Sequence, residues 1–576
     1  MNGSTNRWMA VMSIGPVQSF IAASRKTEDL WAGSYILSHL AAEALKSFPE
    51  DEFQAVSPKR PNDGATDIAS LPNRILLVTQ PESTFTAEQL AQKMRTVAKY
   101  VRFQFERICA SAVEEAFERS APFFDEFKQK AKHQAAAAIE VFWAIEPFHG
   151  EDGFDRAKAV LERRLASAKN DRVFGPDEQN GAICTVCGER EALWGRGGSW
   201  SKQLEQYGKR ECFGDPVDRE ERDVSGSVRR VSRIREGECL CGVCLGKRMA
   251  RNFYKREIPG FAFPSFPSTL DIAGGGTYVA FLMMDGDDMG GWFSGERRSR
   301  HPEPMSPIRW QTWVSDRLAR YSRQRVDLIV RRFGGERAKT VYAGGDDVLA
   351  ILPPERVLQV AGELRKTFGS ADGLDPSATS SIALVIAHEK APLSHVLKYL
   401  RQLEKRAKAY RSPDGRRHKD ALAIAVMARS GEIHEAVVPW RLESGDWTVD
   451  RLNRWVDDLE RHLSDTFYYR FAEAFMPLVG SSVSGMFRKS AGAGRIRPTG
   501  DRVRDDDLMR TELERLIRRS LKTGETSVDA GRYAEELVEL HADMSSTIEW
   551  LHLISILTFI RRIRKKQKGG SAEHVV

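Results

Sequence analysis

The chain has 576 residues, which is too long for one hydrophobic core, so three or four domains are expected. Its formal net charge of +7 and pI near 8.9 permit a nucleic-acid partner but are too mild to require one. No signal peptide precedes the first predicted strand, and the longest late apolar run, Trp550 to Ile560, is too short to span a bilayer. We therefore expect a cytoplasmic protein.

The N-terminal region, to about residue 165, is predicted to form a separate α/β unit. Strand patterns cover Trp8 to Ile14, Arg74 to Val78 and Ala138 to Ile145, and helical patterns cover Phe20 to Phe48 and Ala87 to Glu118. No acidic pair stands at a strand end and hairpin there, so this region is predicted to lack catalytic metal ligands. On local signals alone, Gly15-Pro16 is a strand-to-helix turn and the polar residues after it are helix-start signals.

Four of the seven cysteines stand in two Cys-x-x-Cys pairs, Cys184 with Cys187 and Cys241 with Cys244. Two thiolates at this spacing form a metal-binding knuckle, and two knuckles complete a tetrahedral zinc site without an open position. The pattern therefore predicts a structural Zn²⁺ ion held by these four residues. The alternative is a set of four unliganded thiols in a reducing compartment.

A long gap, from Gly188 to Leu240, separates the two knuckles. It contains Cys212, Cys239 and a charged segment from Asp215 to Glu238, whose polar composition cannot bury a core. We expect a mobile surface loop in this gap. Cys239 could also replace Cys241 as a zinc ligand.

Two predicted elements further along the chain end in carboxylates. The apolar run Thr277 to Met284 stops at Asp285-Gly286-Asp287-Asp288, which predicts a buried strand and then a turn whose amides can approach phosphate oxygens. The segment Val341 to Leu352 is a predicted β-hairpin with Gly344-Gly345-Asp346-Asp347 at its turn. Adjacent aspartates repel one another, and hard oxygen ligands of this kind suit Mg²⁺ or Mn²⁺.

The order of elements around these acids is that of a palm. The predicted elements are helix Pro307 to Arg332, the hairpin, helix Glu355 to Phe368, strand Thr379 to His388, helix Leu393 to Arg411 and strand Asp420 to Met427. This is a β-α-β-β-α-β core with an extra helix and strand, as in polymerases and nucleotidyl cyclases. The palm brings Asp285, Asp346 and Asp347 together. Taken singly, each acidic turn could be an ordinary exposed loop, because Asp and Gly favour turns.

Lys405 and Lys408 lie three residues apart on one face of the helix before the last palm strand. The spacing suits a phosphate clamp, and a solvated helix face is the alternative.

The chain is predicted to be helical from about Trp440 onward. Apolar periodicity covers Leu452 to Leu463, Leu508 to Leu521 and Tyr533 to Ile563, and the polar stretch Lys489 to Asp506 is a predicted loop. We expect an interaction bundle. Its basic end, Arg561 to Lys566, is a solvated helix terminus or touches RNA.

The chain resembles the large subunit of type III-B CRISPR effector complexes, the Cas-ten (Cmr-two) family, whose second palm carries a Gly-Gly-Asp-Asp motif. Besides that motif, the resemblance is carried by Ser13 to Ile21 with its continuation to Ser34, by Phe266 to Ala273, and by the two cysteine pairs. These stretches reach from the first residues to about Met427. The C-terminal part is similar in character only.

The resemblance implies an α+β multidomain fold. Two ferredoxin-like palm domains, similar to nucleotidyl cyclases, would be joined by a zinc-binding insertion domain and followed by a C-terminal helical bundle. The expected boundaries are 1–165 for a non-catalytic, ATP-binding first palm, 166–265 for the zinc-binding domain, 266–435 for the second palm and 436–576 for the helical domain.

The resemblance also implies a target-RNA-activated nucleotidyltransferase that converts ATP to cyclic oligoadenylate, a second messenger in antiviral defence. Asp285, Asp346 and Asp347 would hold Mg²⁺ or Mn²⁺ with the Gly286 carbonyl. The implied ATP contacts in the second palm are Gly286, Asp287, Gly344, Gly345, Lys405 and Lys408, and those in the first palm are Ser13, Gln18, Ser24 and Arg25. Lys408 is placed like the triphosphate-binding lysine of the related Gly-Gly-Asp-Glu-Phe cyclases.

The implied partners are guide RNA, target RNA and other type III-B subunits, including the small subunit and the subunit that binds the guide 5′ end, with no membrane. Many relatives carry an N-terminal histidine-aspartate nuclease domain. Here the first palm starts almost at once and no histidine precedes an aspartate directly, so we expect no metal-dependent DNase activity in this chain. The alternatives are AMP transfer to another small acceptor, a cyclic dinucleotide product, or a catalytically silent RNA-binding scaffold.

Overall fold

The computed structural model describes residues 7–61, 66–117, 119–120, 123–151, 153–171, 181–193, 218–222, 228–232, 234, 238–258, 260, 263, 266–464, 466–479, 506–522 and 528–572. The chain divides into two compact units. The first comprises Met1–Ser268, Asp288–Arg323 and Val341–Gly345, and the second comprises Thr269–Asp287, Gln324–Thr340 and Asp346–Val576. The four domain boundaries drawn from the sequence stay predictions.

Twelve strands are present in the described residues. In chain order, β1 to β12 are Arg7–Gly15, Phe53–Ser57, Arg74–Thr79, Glu140–Phe148, Asp218–Arg222, Val228–Ser232, Tyr278–Gly286, Lys339–Ala343, Val348–Leu352, Ser380–His388, Ala421–Met427 and Ile433–Pro439.

The α-helices of the described residues are numbered α1 to α17. They are Gln18–Ala22, Thr27–Lys46, Ala87–Ala116, Phe124–Ala138, Phe154–Asn170, Gly242–Glu257, Thr269–Ala273, Met289–Ser294, Pro307–Arg320, Asp327–Gly334, Val357–Phe368, Leu393–Lys408, Thr448–Arg461, Phe467–Phe475, Asp506–Ser520, Ala530–Asp543 and Thr547–Ala572. A π-helical segment, Tyr321–Val326, joins α9 to α10, and short 3₁₀ turns occur at Arg298–Arg300, Pro354–Arg356 and Met476–Val479.

The first sheet contains four antiparallel strands in the order β2-β3-β1-β4. The central strand β1 has six consecutive buried residues, and it pairs with β3 through Met9 opposite Val78 and with β4 through Met9 opposite Glu146. Helices separate β1 from β2 and β3 from β4. This order is the ferredoxin-like arrangement expected for the N-terminal region.

The first unit departs from the sequence prediction in several elements. The predicted helix Phe20 to Phe48 is interrupted, because the Asp29 carboxylate accepts from the backbone amides of Arg25 and Lys26 and starts α2 anew. Strand β2 and helix α4 were not predicted. In the gap between the cysteine pairs, β5 and β6 form a hairpin with Glu220 opposite Arg230, so the predicted loop contains regular structure.

The second sheet has six strands in the order β12-β11-β10-β7-β9-β8. Its four strands β10-β7-β9-β8 form the predicted palm core, and β11 adds in parallel beside β10. All five residues of β9 and eight of the nine of β10 are buried, as a central sheet requires. Strand β12 was not predicted, because an edge strand whose first three residues are only partly buried has a weak apolar signal.

Helices at the C-terminal end pack around Trp550. Its ring contacts Phe471 and Phe475, with centroid separations of 4.8 and 5.2 Å. The periodic segment Tyr533 to Ile563 is two helices, because Ser546 caps the amide of Glu549 and starts α17. The predicted loop Lys489 to Asp506 lies outside the described residues except for Asp506, which begins α15. No described helix is long and apolar enough to cross a membrane.

A buried ionic cluster holds α6 against the start of α2. The Arg248 guanidinium donates to both oxygens of Asp29, at 2.6 and 3.0 Å, and to Glu238 at 2.9 Å. These three side chains are 1 to 3% exposed. The adjacent Lys247 ammonium donates to the Phe20 carbonyl at 2.8 Å. Each buried charge in this cluster thus has a partner of opposite charge or a carbonyl.

We predict that Arg248→Met destabilises the first unit by about 3–5 kcal/mol, because it removes the hydrogen-bonded counter-charge of two buried carboxylates. Hydrogen exchange of the α6 amides measures the loss directly. The matched control is Arg256→Met on the same helix, whose guanidinium pairs with Glu115 but is 54% exposed. It should cost at most about 1 kcal/mol. Equal protection in the two variants would contradict the prediction.

Candidate functional site

The backbone brings the end of β7 to the turn of the β8–β9 hairpin. Strands β7 and β9 are antiparallel with Met284 opposite Val348, and this pairing continued by one residue sets Asp285 opposite Asp347. The Gly286 amide then donates to the Asp346 carbonyl at 3.1 Å. The acids predicted to meet are therefore placed side by side by the sheet itself, although they are separated by about sixty residues of sequence.

Glycine is required at the hairpin turn for conformational reasons. Gly345 has φ +122°, a backbone conformation that a side chain rarely adopts. A Cβ at Gly344 would overlap the Tyr342 hydroxyl, at 1.6 Å. The two glycines thus shape the turn that presents Asp346 and Asp347.

Crowded negative charge perturbs the acids of this turn. Burial, followed by the charge of Asp285, raises the pKa of Asp346 to about 6. Asp347 has an exposed surface, although many protein atoms surround its carboxyl group. Partial desolvation by these atoms, followed by the charges of Asp285 and Asp346, raises the pKa of Asp347. Burial and then Asp285 also raise the pKa of Glu404 on α12. Four carboxyl groups therefore compete for cations in one place.

Lys408 is the cation that contacts this group. Its ammonium lies 2.7 Å from Asp285 Oδ1, 3.7 Å from Glu404 Oε1 and 3.4 Å from the Gly286 carbonyl, to which it donates. Lys405, predicted as its partner in a phosphate clamp, is exposed. The structure thus places Lys408 at the acids and Lys405 on the outer surface of α12.

Asp287 faces inward. Its carboxylate accepts from the hydroxyls of Thr379 and Ser381, at 3.0 and 2.8 Å, and from the Asp420 amide at 3.0 Å, and the residue is 2% exposed. Burial raises the pKa of Asp287. These three internal partners fix Asp287 between β7 and the starts of β10 and β11. The ATP contact that the resemblance implies for this residue stays a prediction.

The donor set of Asp285, Asp346, Asp347 and the Gly286 carbonyl consists of hard oxygens, which fits Mg²⁺ or Mn²⁺. Burial and then the neighbouring carboxylates raise the pKa of Asp346 and of Asp347, and a divalent ion would favour the charged form of both. In the described residues no three carboxylates place one oxygen each within 4.8 Å of one another. Instead Asp285 is paired with Lys408.

We predict that Mn²⁺ affinity at these acids falls as the pH is lowered through about 6. The raised pKa of Asp346 means that a proton occupies this carboxyl below that value and must be displaced by the ion. Affinity should drop by about tenfold per pH unit if one proton is released. Calorimetric titration of the zinc-loaded chain from about pH 8 to about pH 5 tests this, and an unchanged affinity over that range would contradict it.

The four predicted thiolate ligands converge in the first unit. The Sγ atoms of Cys184, Cys187, Cys241 and Cys244 all lie within 4.8 Å of one another, and Cys187 and Cys241 are 3.9 Å apart. Tetrahedral ligation with Zn–S bonds of about 2.3 Å requires an edge of about 3.8 Å, so the set fits Zn²⁺. Cys239 is buried nearby but outside this group.

Helix α4 supports both knuckles through one side chain. Gln134 accepts from the Gly242 amide at 2.7 Å and donates to the Glu191 carbonyl at 2.7 Å. A Cβ at Gly242 would lie 2.5 Å from the Ala131 Cα, so the start of α6 is packed directly on α4. The two knuckles are thereby attached to one helix, independently of the Zn²⁺ ion that their thiolates would hold.

We predict that Cys184→Ser lowers the zinc content below one equivalent and destabilises the first unit, because one of four thiolates is lost. Cys239→Ser is the matched control, since this thiol is buried nearby but lies outside the four. It should retain one equivalent by metal analysis. Loss of zinc in the control alone would move the ligand set to Cys239.

The four residues predicted to contact ATP in the first palm differ in exposure and in hydrogen-bond partners. Ser13 lies buried in β1, and Gln18 is exposed at the first turn of α1. Ser24 is buried, donates to the Ile21 carbonyl and accepts from Lys247. Arg25 is half exposed and lies 3.8 Å from Glu238. Gly15-Pro16 does connect β1 to α1, as its local signal indicated.

Three residues at the acid group were missed by the sequence reasoning. Glu404 and Arg401 lie on α12, and Arg401 interacts electrostatically with Asp347. Ser381 on β10 holds Asp287. The four-residue spacing of Glu404 and Lys408 on a helix was the available signal for an ion pair.

Two family models match segments of this chain, one in each of the two large sheets. Residues 278–423 match the family model described as Cas10/Cmr2, second palm domain, and residues 9–139 match that of CRISPR-associated protein Cmr2, N-terminal. A segment of 184 residues is 36% identical to the CRISPR system Cmr subunit Cmr2 of Pyrococcus furiosus. It covers 29% of this chain and only 20% of that relative.

Two solved structures resemble the whole chain. A chain of the type III-B Cmr-beta complex in its apo state is 13% identical, with TM-score 0.65, covering 97% of this chain and 82% of its own length. A chain of Cmr-beta bound to cognate target RNA is 14% identical, with TM-score 0.63, covering 97% and 84%. At these identities the likeness shows a shared fold.

Proposed function

Because the chain belongs to the Cas10/Cmr2 family, we propose that it is the large subunit of a type III-B CRISPR effector complex and converts ATP to cyclic oligoadenylate when target RNA is bound. The observation that carries this proposal is the convergence of Asp285, Asp346 and Asp347 at a palm strand and hairpin inside the matched residues 278–423. Palm acids at these two places serve phosphoryl transfer.

In this proposal Asp285, Asp346 and Asp347, with the Gly286 carbonyl, hold divalent ions. The ions would neutralise charge on the transferring phosphoryl group. Asp287 keeps the β7 turn fixed through Thr379, Ser381 and Asp420. Lys408, with an ammonium at the acids, is the candidate to bind the triphosphate.

The acceptor would be the 3′-hydroxyl of a second ATP. Its oxygen attacks the α-phosphate of the first ATP, a 3′-5′ phosphodiester forms, and the bond to the pyrophosphate leaving group breaks, while the hydroxyl proton passes to solvent water. Repetition followed by ring closure gives the cyclic product. Gln18 and Arg25 are the more accessible of the four first-palm candidates for the second ATP, while Ser13 and Ser24 are buried. Positioning supplies most of the rate in such a reaction.

The proposed partners are guide RNA, target RNA and further effector subunits. The solved relative with cognate target RNA supports this assignment. The chain's positive charge is compatible with an RNA partner, although it is mild.

The alternative reactions would use the same carboxylates. AMP transfer to another small acceptor or formation of a cyclic dinucleotide would need the same metal ligands, so mass spectrometry of the product distinguishes them. If the chain were a catalytically inactive RNA-binding scaffold, the convergence of the acids would have no functional explanation.

We predict that Asp285→Asn lowers ATP conversion by about 10²- to 10³-fold, because it removes one anionic ligand while keeping size and much of the hydrogen bonding. Asp346→Ala with Asp347→Ala should abolish conversion. The assembled complex is assayed with ATP, Mn²⁺ and cognate target RNA, and products are identified by mass spectrometry.

Both variants should assemble and bind RNA as the wild type does, because these carboxylates are not core residues. Asp51→Asn, an exposed acid of the first unit, is the control for a change of charge alone. Undiminished synthesis by the double variant would remove the catalytic assignment, and undiminished synthesis by Asp285→Asn would remove β7 from the site.

A further inference from the structure

The Lys408 ammonium occupies the ligands that a divalent ion would need. Two of its three oxygen neighbours, Asp285 Oδ1 at 2.7 Å and the Gly286 carbonyl at 3.4 Å, belong to the proposed metal-binding set. The third, Glu404 Oε1 at 3.7 Å, lies one helical turn earlier on α12. A single positive charge is therefore already bound where a double charge is expected.

We propose that Lys408 is a resident counter-ion that competes with the divalent metal and is released to the ATP triphosphate. The inference rests on the proposed function of the acid group. Lys408 holds Asp285 while the site is empty of substrate, and it exchanges that carboxylate for phosphate when ATP arrives. Metal and ATP would then each favour the binding of the other.

Competition follows from distance and charge. Mg²⁺ and Mn²⁺ bind carboxylate oxygens at about 2.0–2.2 Å, and the remaining space around Asp285 Oδ1 cannot also hold an ammonium at 2.7 Å without strong repulsion between the cations. Lys408 must therefore leave Asp285 Oδ1 when an ion binds that oxygen. Its pairing with Asp285 is a charge-assisted hydrogen bond, so displacing it opposes metal binding.

The side chain has two alternative positions once it is displaced. Glu404 is 12% exposed and lies four residues before Lys408 on the same helix, so a change of lysine rotamer keeps the ammonium partnered. A triphosphate beside the acids would be a stronger acceptor, because it carries several negative charges. ATP thus removes the competitor and brings ligands of its own, which couples the two binding events reciprocally.

The test measures Mn²⁺ binding to the zinc-loaded full chain without nucleotide, by electron paramagnetic resonance or calorimetry. Lys408→Met should bind Mn²⁺ about tenfold more tightly than the wild type, because the competing hydrogen bond to a charged group is gone. Binding must disappear in Asp285→Asn, which identifies the site. A non-hydrolysable ATP analogue should tighten Mn²⁺ binding less in Lys408→Met than in the wild type.

Two controls separate the exchange from charge or folding effects. Lys398→Met removes an exposed lysine from the same helix and should leave Mn²⁺ affinity unchanged. Lys408→Arg keeps the positive charge and should retain the weak wild-type affinity. A merely structural role for Lys408 predicts weaker Mn²⁺ binding in the methionine variant, which is the opposite sign.

Equal or weaker Mn²⁺ affinity in a folded Lys408→Met chain would overturn the inference. If the wild-type complex nevertheless makes a cyclic product, the proposed function stands and only the exchange fails. If Mn²⁺ affinity rises as expected but no nucleotide product forms, the exchange stands and the proposed function fails.

Discussion

Repulsion among carboxylates fixed at one edge of a sheet is the constraint on which the chemistry of the second unit depends. The pairing of β7 with β9 and the bond from the Gly286 amide to the Asp346 carbonyl hold these groups in place. They cannot separate without breaking the strand ladder. Their charge must therefore be balanced by protons, by the Lys408 ammonium or by divalent ions. Burial and, after it, the charge of Asp285 raise the pKa of Asp346.

The two ends of the Asp-Gly-Asp stretch respond to this constraint differently. Asp285 remains 37% exposed and is open to cations, whereas Asp287 is enclosed by two hydroxyls and a backbone amide. Such enclosure makes Asp287 a fixed point for the turn, because moving it would break three hydrogen bonds. One short sequence thus supplies both a carboxylate that is open to cations and the anchor that keeps it at the strand end.

In the first unit, the buried charges include cations on α6. Arg248 and Lys247 are buried on α6 between the start of α2 and the cysteine knuckles, and each is fully partnered. Ser24, expected from the sequence to contact ATP, is part of this network through Lys247. A polar residue near a turn can therefore serve internal packing, and only its neighbours distinguish this from ligand binding.

The sequence by itself determined the features whose causes are local. The acidic hairpin, the strand ending at Asp285 and the two cysteine pairs follow from turn chemistry, apolar runs and ligand spacing within a few residues. The interrupted helix at Asp29 and the cap at Ser546 were also local, but their short capping signals were outweighed by the longer apolar periodicity.

Only the tertiary structure decided between chemically equivalent residues. Lys408 rather than Lys405 meets the acids, and Cys241 rather than Cys239 joins the thiolate group. Asp287 acquired its partners from strands about ninety and more residues away in the chain. Composition and spacing are the same for either member of such a pair, because the choice depends on distances in space that arise when the sheet and helices pack.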